Sequence, residues 1–187
     1  MPAEVPAEAP AKKARVFFAL WPSPAVAARL GAFAATVAAA CGGRPTRIET
    51  VHLTLAFVGD VAEDHMADLV GAADAVRGAA FSLDLDRLGY WAHNRLCWAG
   101  CSAVPAALAS LAGDLRAALC DAGFAVEHGR AGFVPHVTLV RKMAHGMADQ
   151  PIEPIVAWHC PAFVLVRSRL SSAGSRYERL HDFPLAR

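Results

Sequence analysis

A four-residue pattern that occurs twice constrains this chain more than any other feature of its sequence. His52-Leu53-Thr54-Leu55 and His136-Val137-Thr138-Leu139 both have the form His-apolar-Thr-apolar, and both lie in short apolar segments typical of β-strands. The eight histidines of the chain would give only roughly 0.2 His-x-Thr pairs by chance. The two motifs therefore predict a degenerate repeat in which each half of the chain contributes one strand to a shared site.

Because side chains alternate across a strand, His52 and Thr54 are predicted to share one face of their strand, about 7 Å apart. His136 and Thr138 repeat this arrangement in the second half of the chain. Two such strands brought together would line a cleft with two imidazoles and two hydroxyls. The apolar neighbours of the motifs are predicted to face the core: Val51, Leu53, Leu55, Phe57, Val137 and Leu139.

This set of groups is suited to phosphoryl transfer without a metal ion. Histidine has an unperturbed pKa near neutrality, so one imidazole can act as a neutral base while the other acts as an acid. The threonine hydroxyls can donate hydrogen bonds to the non-bridging phosphate oxygens, where negative charge must be held. A strained five-membered cyclic phosphate is the diester most easily opened at such a site.

Two other interpretations of the histidines are weaker. A single histidine on a strand face is usually structural, but a matched pair with matched threonines favours catalysis. Zinc binding by His52 and His136 is disfavoured because threonine is a poor ligand and neither motif contains a carboxylate. The sequence predicts no metal site, and since it contains no nucleotide-binding loop or dinucleotide fingerprint, it predicts no cofactor.

Composition and charge limit the class of protein. Hydrophobic residues make up 55% of the 187-residue chain and charged residues 19%, which is typical of a globular protein. The net charge is only +1, so a polyanion would have to bind a local basic patch. Five scattered cysteines favour reduced thiols and a cytoplasmic location. We expect a monomer with no apolar run approaching the length of a membrane span.

The hydrophobic pattern predicts a disordered leader over residues 1–14, followed by a single bilobal domain over residues 15–187. After a first strand at 16–20, Ser23 is expected to cap a helix that has Pro24 in its first turn. Further helices are predicted at 63–76 and 105–122, and further strands at 51–58, 81–88, 95–99, 124–127, 133–142, 163–170 and 177–183.

The segment 143–161 is predicted to be a loop because it contains Pro151, Pro154 and Pro161. The helices are too few for a doubly wound parallel sheet. An α+β fold with largely antiparallel sheets is therefore favoured.

The two motifs and their flanks resemble the 2H phosphoesterases, a superfamily named for two His-x-Thr-x motifs. Within it, the chain is similar to the RNA 2′,3′-cyclic phosphodiesterases, once described as 2′-5′ RNA ligases. The similarity runs from about Arg15 to Leu185, although Phe183 stands where the family usually has tryptophan. The resemblance implies a two-lobed α+β fold of mostly antiparallel sheets with outer helices, a pseudo-twofold axis and a central catalytic groove.

The resemblance also implies an activity, namely hydrolysis of a terminal 2′,3′-cyclic phosphate to a 2′-phosphate. The substrate would be an RNA end, such as that of a tRNA fragment, or a small cyclic nucleotide. The family's roles make His52 the proton donor and His136 the proton acceptor, with Thr54 and Thr138 beside them. A 2′-5′ RNA ligase, an ADP-ribose cyclic phosphodiesterase and a non-catalytic binder of RNA ends or nucleotides remain alternatives.

Arg141 and Tyr177 are the candidate substrate-binding residues that the resemblance adds. Family members commonly carry a phosphate-binding arginine where this chain has Arg141. It lies an odd number of residues from His136, however, so a regular strand would direct it to the opposite face. Tyr177 is expected either to contact the substrate or to serve in packing. A cluster of other arginines is expected either to form a basic lip for RNA or, as is slightly favoured, to lie on ordinary solvated faces: Arg167, Arg169, Arg176 and Arg179.

Overall fold

The structure is a computed structural model, and it describes residues 12–127, 132–171 and 174–186. Short 3₁₀ turns at Ile48–Thr50 and Glu63–His65 precede the third strand and the second helix. In chain order the strands and helices are β1 (Lys13–Leu20), α1 (Pro24–Cys41), β2 (Arg44–Pro45), β3 (Leu53–Ala62), α2 (Met66–Asp74), β4 (Phe81–Trp91), β5 (Leu96–Gly100), α3 (Ala106–Asp121), β6 (His136–Arg141), β7 (Gln150–Cys160), β8 (Ala162–Ser171) and β9 (Gly174–Pro184).

The nine strands of the described residues form one sheet in which the paired strands are antiparallel. Their order is β7-β4-β5-β6-β3-β1-β8-β9, with β2 added to β6. This order is symmetric about the β6–β3 pair, because each motif strand is followed outward by three further strands. The two halves are joined by the pairing of Leu53 with Val137. The predicted α+β fold, with its two lobes and pseudo-twofold relation, is confirmed.

The helices cover the sheet and connect its two halves. Helix α1 packs against β6 and β7, whereas α3 packs against β3, so each helix covers the half opposite its own motif strand. The predicted start of α1 is confirmed, since the Val26 amide donates to the Ser23 hydroxyl at 3.3 Å. The chain leaves α1 through Gly42, at φ +70°.

Helix α1 is longer and more apolar than the sequence predicted. Among the described residues it is the one helix that is long and apolar enough, by length and composition alone, to cross a membrane, with 18 residues and a mean hydropathy of 1.5. The expectation that no apolar segment approaches this length was wrong, because the many alanines leave Arg29 as the one charged residue of the helix. One face packs in the core of the fold, where Ala27, Leu30, Ala34 and Val37 are buried.

The boundaries of the first strand also differ from the prediction. Lys13 and Ala14, which were assigned to the disordered leader, already belong to β1 and pair with Ala62 and Val61. Their backbone groups are therefore satisfied by β3. Residues 1–11 of the predicted leader lie outside the described residues.

The prediction of a loop over 143–161 was wrong. This segment contains β7, which pairs with β4 at one edge of the sheet. Proline lacks an amide hydrogen and is excluded from central strands, but an edge strand tolerates it where no donor is needed. Pro151 and Pro154 both lie in β7. The strand predicted at 124–127 is also absent from the described structure, where the Glu127 amide donates a single hydrogen bond to the carbonyl of Phe57.

A β-bulge in β3 changes the faces of the residues that follow the first motif. Consecutive residues of β1 pair with Ala56 and Thr54, so Leu55 is an extra residue on β3. Leu55 and Ala56 are both buried, which breaks the strict alternation. Phe57 consequently lies on the same face as Thr54, and the prediction that it faces the core with Leu55 was wrong.

The same bulge recurs in β6 after the second motif. Consecutive residues of β5 pair with Val140 and Thr138, so Leu139 is the extra residue. Leu139 and Val140 are both buried. Arg141 is therefore brought to the face of Thr138, which a regular strand would not have allowed.

Strand β2, which the sequence did not predict, adds a short edge to β6. Arg44 pairs with Arg141, and Pro45 pairs with Val140. Gly43, immediately before β2, has a φ of +105°, and a Cβ there would lie 2.8 Å from both the Arg141 carbonyl oxygen and Val140 Cγ1. Only glycine allows the chain to approach β6 this closely at such a φ.

This close approach predicts a large effect of a small substitution. Gly43→Ala is expected to lower the free energy of unfolding by about 1–3 kcal/mol, because the added methyl group meets backbone and the left-handed φ becomes strained. Gly113→Ala is the matched control, since Gly113 lies in α3 and a Cβ there has no neighbour within 4 Å. The control is expected to raise stability by about 0.5–1 kcal/mol. Urea unfolding followed by circular dichroism measures both, and equal effects would contradict the constraint at Gly43.

Candidate active site

The two motifs meet at the centre of the sheet. His52 immediately precedes β3 and His136 begins β6. The residues that follow the two histidines, Leu53 and Val137, are the pair that joins the two strands. Continuing this antiparallel register by one residue places His52 opposite Thr138, and it places the first threonine opposite the second histidine. Each histidine thus faces the threonine of the other motif.

Both imidazoles are held by the same kind of hydrogen bond. Nδ1 of His52 donates to the carbonyl of Thr50 at 2.7 Å, and Nδ1 of His136 donates to the carbonyl of Val134 at 2.9 Å. A carbonyl oxygen can only accept, so this bond fixes the proton on Nδ1 of the neutral ring. Nε2 is then the atom of each ring that can take up or release a proton.

Aromatic rings surround His52 on three sides. Trp21 stacks on the imidazole with a centroid distance of 5.8 Å and an interplanar angle of 11°. Tyr177 meets it edge-on at 5.3 Å, and Phe17 lies 4.9 Å away. Phe17 is only 3% exposed, so its ring packs against the imidazole with little contact with solvent.

His136 has an aromatic support of its own. Trp91 meets its imidazole at 4.6 Å and an angle of 68°, and Trp98 lies 5.5 Å behind Trp91. The guanidinium of Arg87 covers the Trp98 ring at 5.3 Å. Sequence reasoning missed Trp91, because it lies at the far end of β4 and nothing in the local pattern links it to the second motif.

Burial lowers the pKa of both histidines. Desolvation brings the pKa of His52 down to about 4, against the opposing hydrogen bond to Thr50 and with smaller contributions from the charges of Arg141 and His136. The pKa of His136 also lies below its ordinary value of 6.5, chiefly because of desolvation and then because of Arg141. Burial therefore favours the neutral form of both rings.

Three adjoining cavities form a groove along the motifs. One of about 300 Å³ is lined by His52 and Thr138, and one of about 450 Å³ by His52 and Thr54. A third, of about 740 Å³, is lined by Thr54 and His136. Because neighbouring cavities share lining residues, the four side chains singled out in the sequence lie along one continuous groove.

Comparison with known proteins identifies the family. The family model described as LigT like Phosphoesterase matches residues 20–98, which include the first motif. The RNA 2′,3′-cyclic phosphodiesterase of Escherichia coli (strain K12) is 31% identical over 143 residues, which make up 76% of this chain and 80% of that protein. The chain belongs to the LigT-like phosphoesterases.

Other relatives and solved structures agree with this family. The RNA 2′,3′-cyclic phosphodiesterase of Thermus thermophilus is 29% identical to this LigT-like phosphoesterase over 180 residues, covering 91% of this chain and 90% of that protein. The crystal structure of E. coli LigT complexed with 3′-AMP superimposes with a TM-score of 0.86 at 28% identity, covering 94% of this chain and 100% of that one.

Arg141 and Tyr177 both line the first two cavities beside His52. The bulge in β6 is the reason that Arg141 reaches the groove of this LigT-like phosphoesterase. Tyr177 packs edge-on against His52 and also lines the groove, so its packing is observed, while its contact with the substrate stays a prediction.

Most of the arginine cluster noted in the sequence is neutralised by carboxylates. Arg167 pairs with Glu63 at 2.9 Å, and Arg169 pairs with Glu178 at 3.0 Å. A third pair joins Arg179 to Asp182.

Sequence reasoning missed three cations that do line the first cavity: Arg44, Arg47 and Lys142.

The imidazole geometry can be tested in solution. In ¹⁵N-detected NMR titrations of the LigT-like phosphoesterase, His52 is expected to titrate with a pKa of about 4, since burial penalises its charged form. Both His52 and His136 are expected to carry the proton of the neutral ring on Nδ1. A His52 pKa at or above 6.5, or a neutral ring protonated on Nε2, would contradict the structure.

Proposed function

We propose that this chain hydrolyses the terminal 2′,3′-cyclic phosphate of an RNA to a 2′-phosphomonoester. The observation that carries the proposal is the pair of imidazoles, each held through Nδ1 by a backbone carbonyl, along one groove. The activity for which the E. coli and Thermus relatives are named, RNA 2′,3′-cyclic phosphodiesterase, supports this choice of substrate.

His136 acts as the base in the proposed reaction. Its Nε2 accepts a proton from water as the water oxygen attacks phosphorus and forms the new P–O bond. The low pKa of His136 keeps the ring neutral at physiological pH, which this role requires.

His52 acts as the acid. Its Nε2 donates a proton to the 3′ oxygen as the P–O3′ bond breaks, and the phosphate remains on the 2′ oxygen. The proton gained by His136 and the proton lost by His52 are exchanged with solvent before the next turnover.

The burial of His52 works against an acid role while the groove holds no anion. A phosphate between the two rings counters this effect, because a negative charge within a few ångströms favours the imidazolium form. In the proposed reaction Arg141 and the two threonine hydroxyls, which line the cavities beside His52, hold the non-bridging phosphate oxygens, where charge accumulates during attack.

The oligomeric state and the cellular location stay predictions from the sequence. The chain is expected to work as a monomer, and a cytoplasmic location would give it access to RNA fragments. Size-exclusion chromatography with light scattering and cell fractionation test these two points separately.

Loss of either imidazole tests the proposed chemistry. His52→Ala and His136→Ala are each expected to lower kcat by at least about 10²-fold on an RNA that ends in a 2′,3′-cyclic phosphate, because each removes one proton transfer. The rates are measured in EDTA by separating substrate and product on a gel. His159→Ala is the matched control, since this exposed histidine lies on the edge strand β7. Activity that is indifferent to both groove substitutions would refute the paired mechanism.

The pH dependence of kcat/KM follows from the two lowered pKa values. The reaction needs His52 protonated and His136 neutral, so the rate falls at low pH as His136 gains a proton and at high pH as His52 loses one. Because kcat/KM reports the free enzyme, its maximum is expected on the acidic side of pH 6.5. The maximum of kcat is expected at higher pH, because bound phosphate favours protonated His52. A kcat/KM maximum in the alkaline range would contradict the burial of these rings.

A further inference from the structure

The cavity beside His52 carries an excess of positive charge. Its lining includes four cations, Arg44, Arg47, Arg141 and Lys142. Arg47 is partly neutralised, since its Nε lies 3.6 Å from Glu49 and its guanidinium also donates to a backbone carbonyl at the start of β9. Within the described part of the chain, the other three have no carboxylate at ion-pair distance. The protein as a whole has a net charge of only +1, so this is a local feature.

Two of these cations are held against each other by the backbone. Arg44 on β2 is the direct partner of Arg141 on β6. Like charges at directly opposed positions of antiparallel strands destabilise the pairing. The backbone nevertheless enforces it, because Gly43 permits the close approach and the Thr46 amide donates to the carbonyl of Leu139 at 2.7 Å. A bound anion would offset the repulsion between the two guanidinium groups.

The cations do not all lie in the same position relative to the reacting phosphate. Arg141 lines both cavities that contain His52, so it is assigned to the reacting cyclic phosphate. Arg44 and Lys142 line the first cavity but not the second, and therefore lie to one side of the reacting centre.

We propose that Arg44 and Lys142 form a second phosphate subsite that binds the phosphodiester on the 5′ side of the terminal nucleotide. A cyclic phosphate closes the 3′ end of an RNA, so the rest of the molecule extends only from the 5′ oxygen of the terminal ribose. The nearest further negative charge is the phosphate at that oxygen. The exposed guanidinium of Arg44 offers the fork of donors that binds phosphate oxygens in pairs.

This inference rests on the proposed cyclic phosphodiesterase activity and deepens it. It makes the preferred substrate an RNA end, or another nucleotide with a 5′-phosphate, in preference to a cyclic nucleotide with a free 5′ hydroxyl.

Three substrates distinguish binding of the 5′-phosphate from binding of the reacting cyclic phosphate. The first is a nucleoside 2′,3′-cyclic phosphate with a free 5′ hydroxyl, and the second is the same nucleotide with a 5′-phosphate. The third is a dinucleotide that ends in the same cyclic phosphate. Wild type, Arg44→Ala, Arg44→Lys and Arg77→Ala are compared on each, where Arg77 is an exposed arginine beyond α2 that lines a separate cavity.

Arg44→Ala is expected to lower kcat/KM by about ten-fold on the second and third substrates, because one charge-assisted phosphate contact is lost. On the first substrate, which lacks the 5′-phosphate, the same variant is expected to lower kcat/KM clearly less than on the other two, and circular dichroism checks that the variant is folded. Arg44→Lys keeps the charge and is expected to retain most of the activity, whereas Arg77→Ala is expected to match wild type throughout. On the dinucleotide, Arg44→Ala is expected to make kcat/KM less sensitive to salt, because one ionic contact that salt screens is lost.

The outcomes distinguish failure of the subsite from failure of the function. If wild type hydrolyses none of the three substrates, the proposed function fails. If wild type hydrolyses all three and Arg44→Ala lowers all of them equally, or none of them, the second subsite is refuted while the function stands. A loss confined to the dinucleotide also refutes the phosphate subsite, because it would assign Arg44 to the added nucleoside.

Discussion

The backbone pairing of Leu53 with Val137 is the constraint on which the site depends. It joins a half of four strands to a half of four strands and the short β2 in one sheet, and it lies one residue beyond each histidine. The antiparallel register at this point sets each imidazole opposite the threonine of the other motif. A slip of either strand by one residue would turn its histidine toward the core, so the buried faces of β3 and β6 also protect the alignment of the site.

A bulge after each motif places a different side chain on the groove face in each half. The extra residues Leu55 and Leu139 bring Phe57 and Arg141 to equivalent positions on the groove face. In one half the position holds a ring, which is covered by the guanidinium of Arg15 at 5.0 Å. In the other half it holds a cation. A nearly symmetric backbone thus carries different side chains at equivalent positions of the two motifs.

Some of this site follows from the sequence because its signal is local. The histidine and threonine of each motif are two residues apart, and alternation along a strand is enough to place them on one face. The bulges were not predictable, since register is a property of two paired strands. Strand β2 was missed because its two residues gain order from β6, and Arg44 was missed with it. The prolines of β7 indicated a loop because the sequence does not show that this strand lies at the sheet edge, where proline is tolerated. The edge position is set by tertiary structure.

The identity of the product tests the central claim most directly. An RNA ending in a 2′,3′-cyclic phosphate is incubated with the wild-type protein in EDTA, and the product is examined by ³¹P NMR. If His52 and His136 act as acid and base from fixed positions in an asymmetric groove, the 3′ oxygen alone is protonated as it leaves. The expected product is then the 2′-phosphate as a single species. A mixture of 2′- and 3′-phosphates, or no turnover, would contradict this assignment.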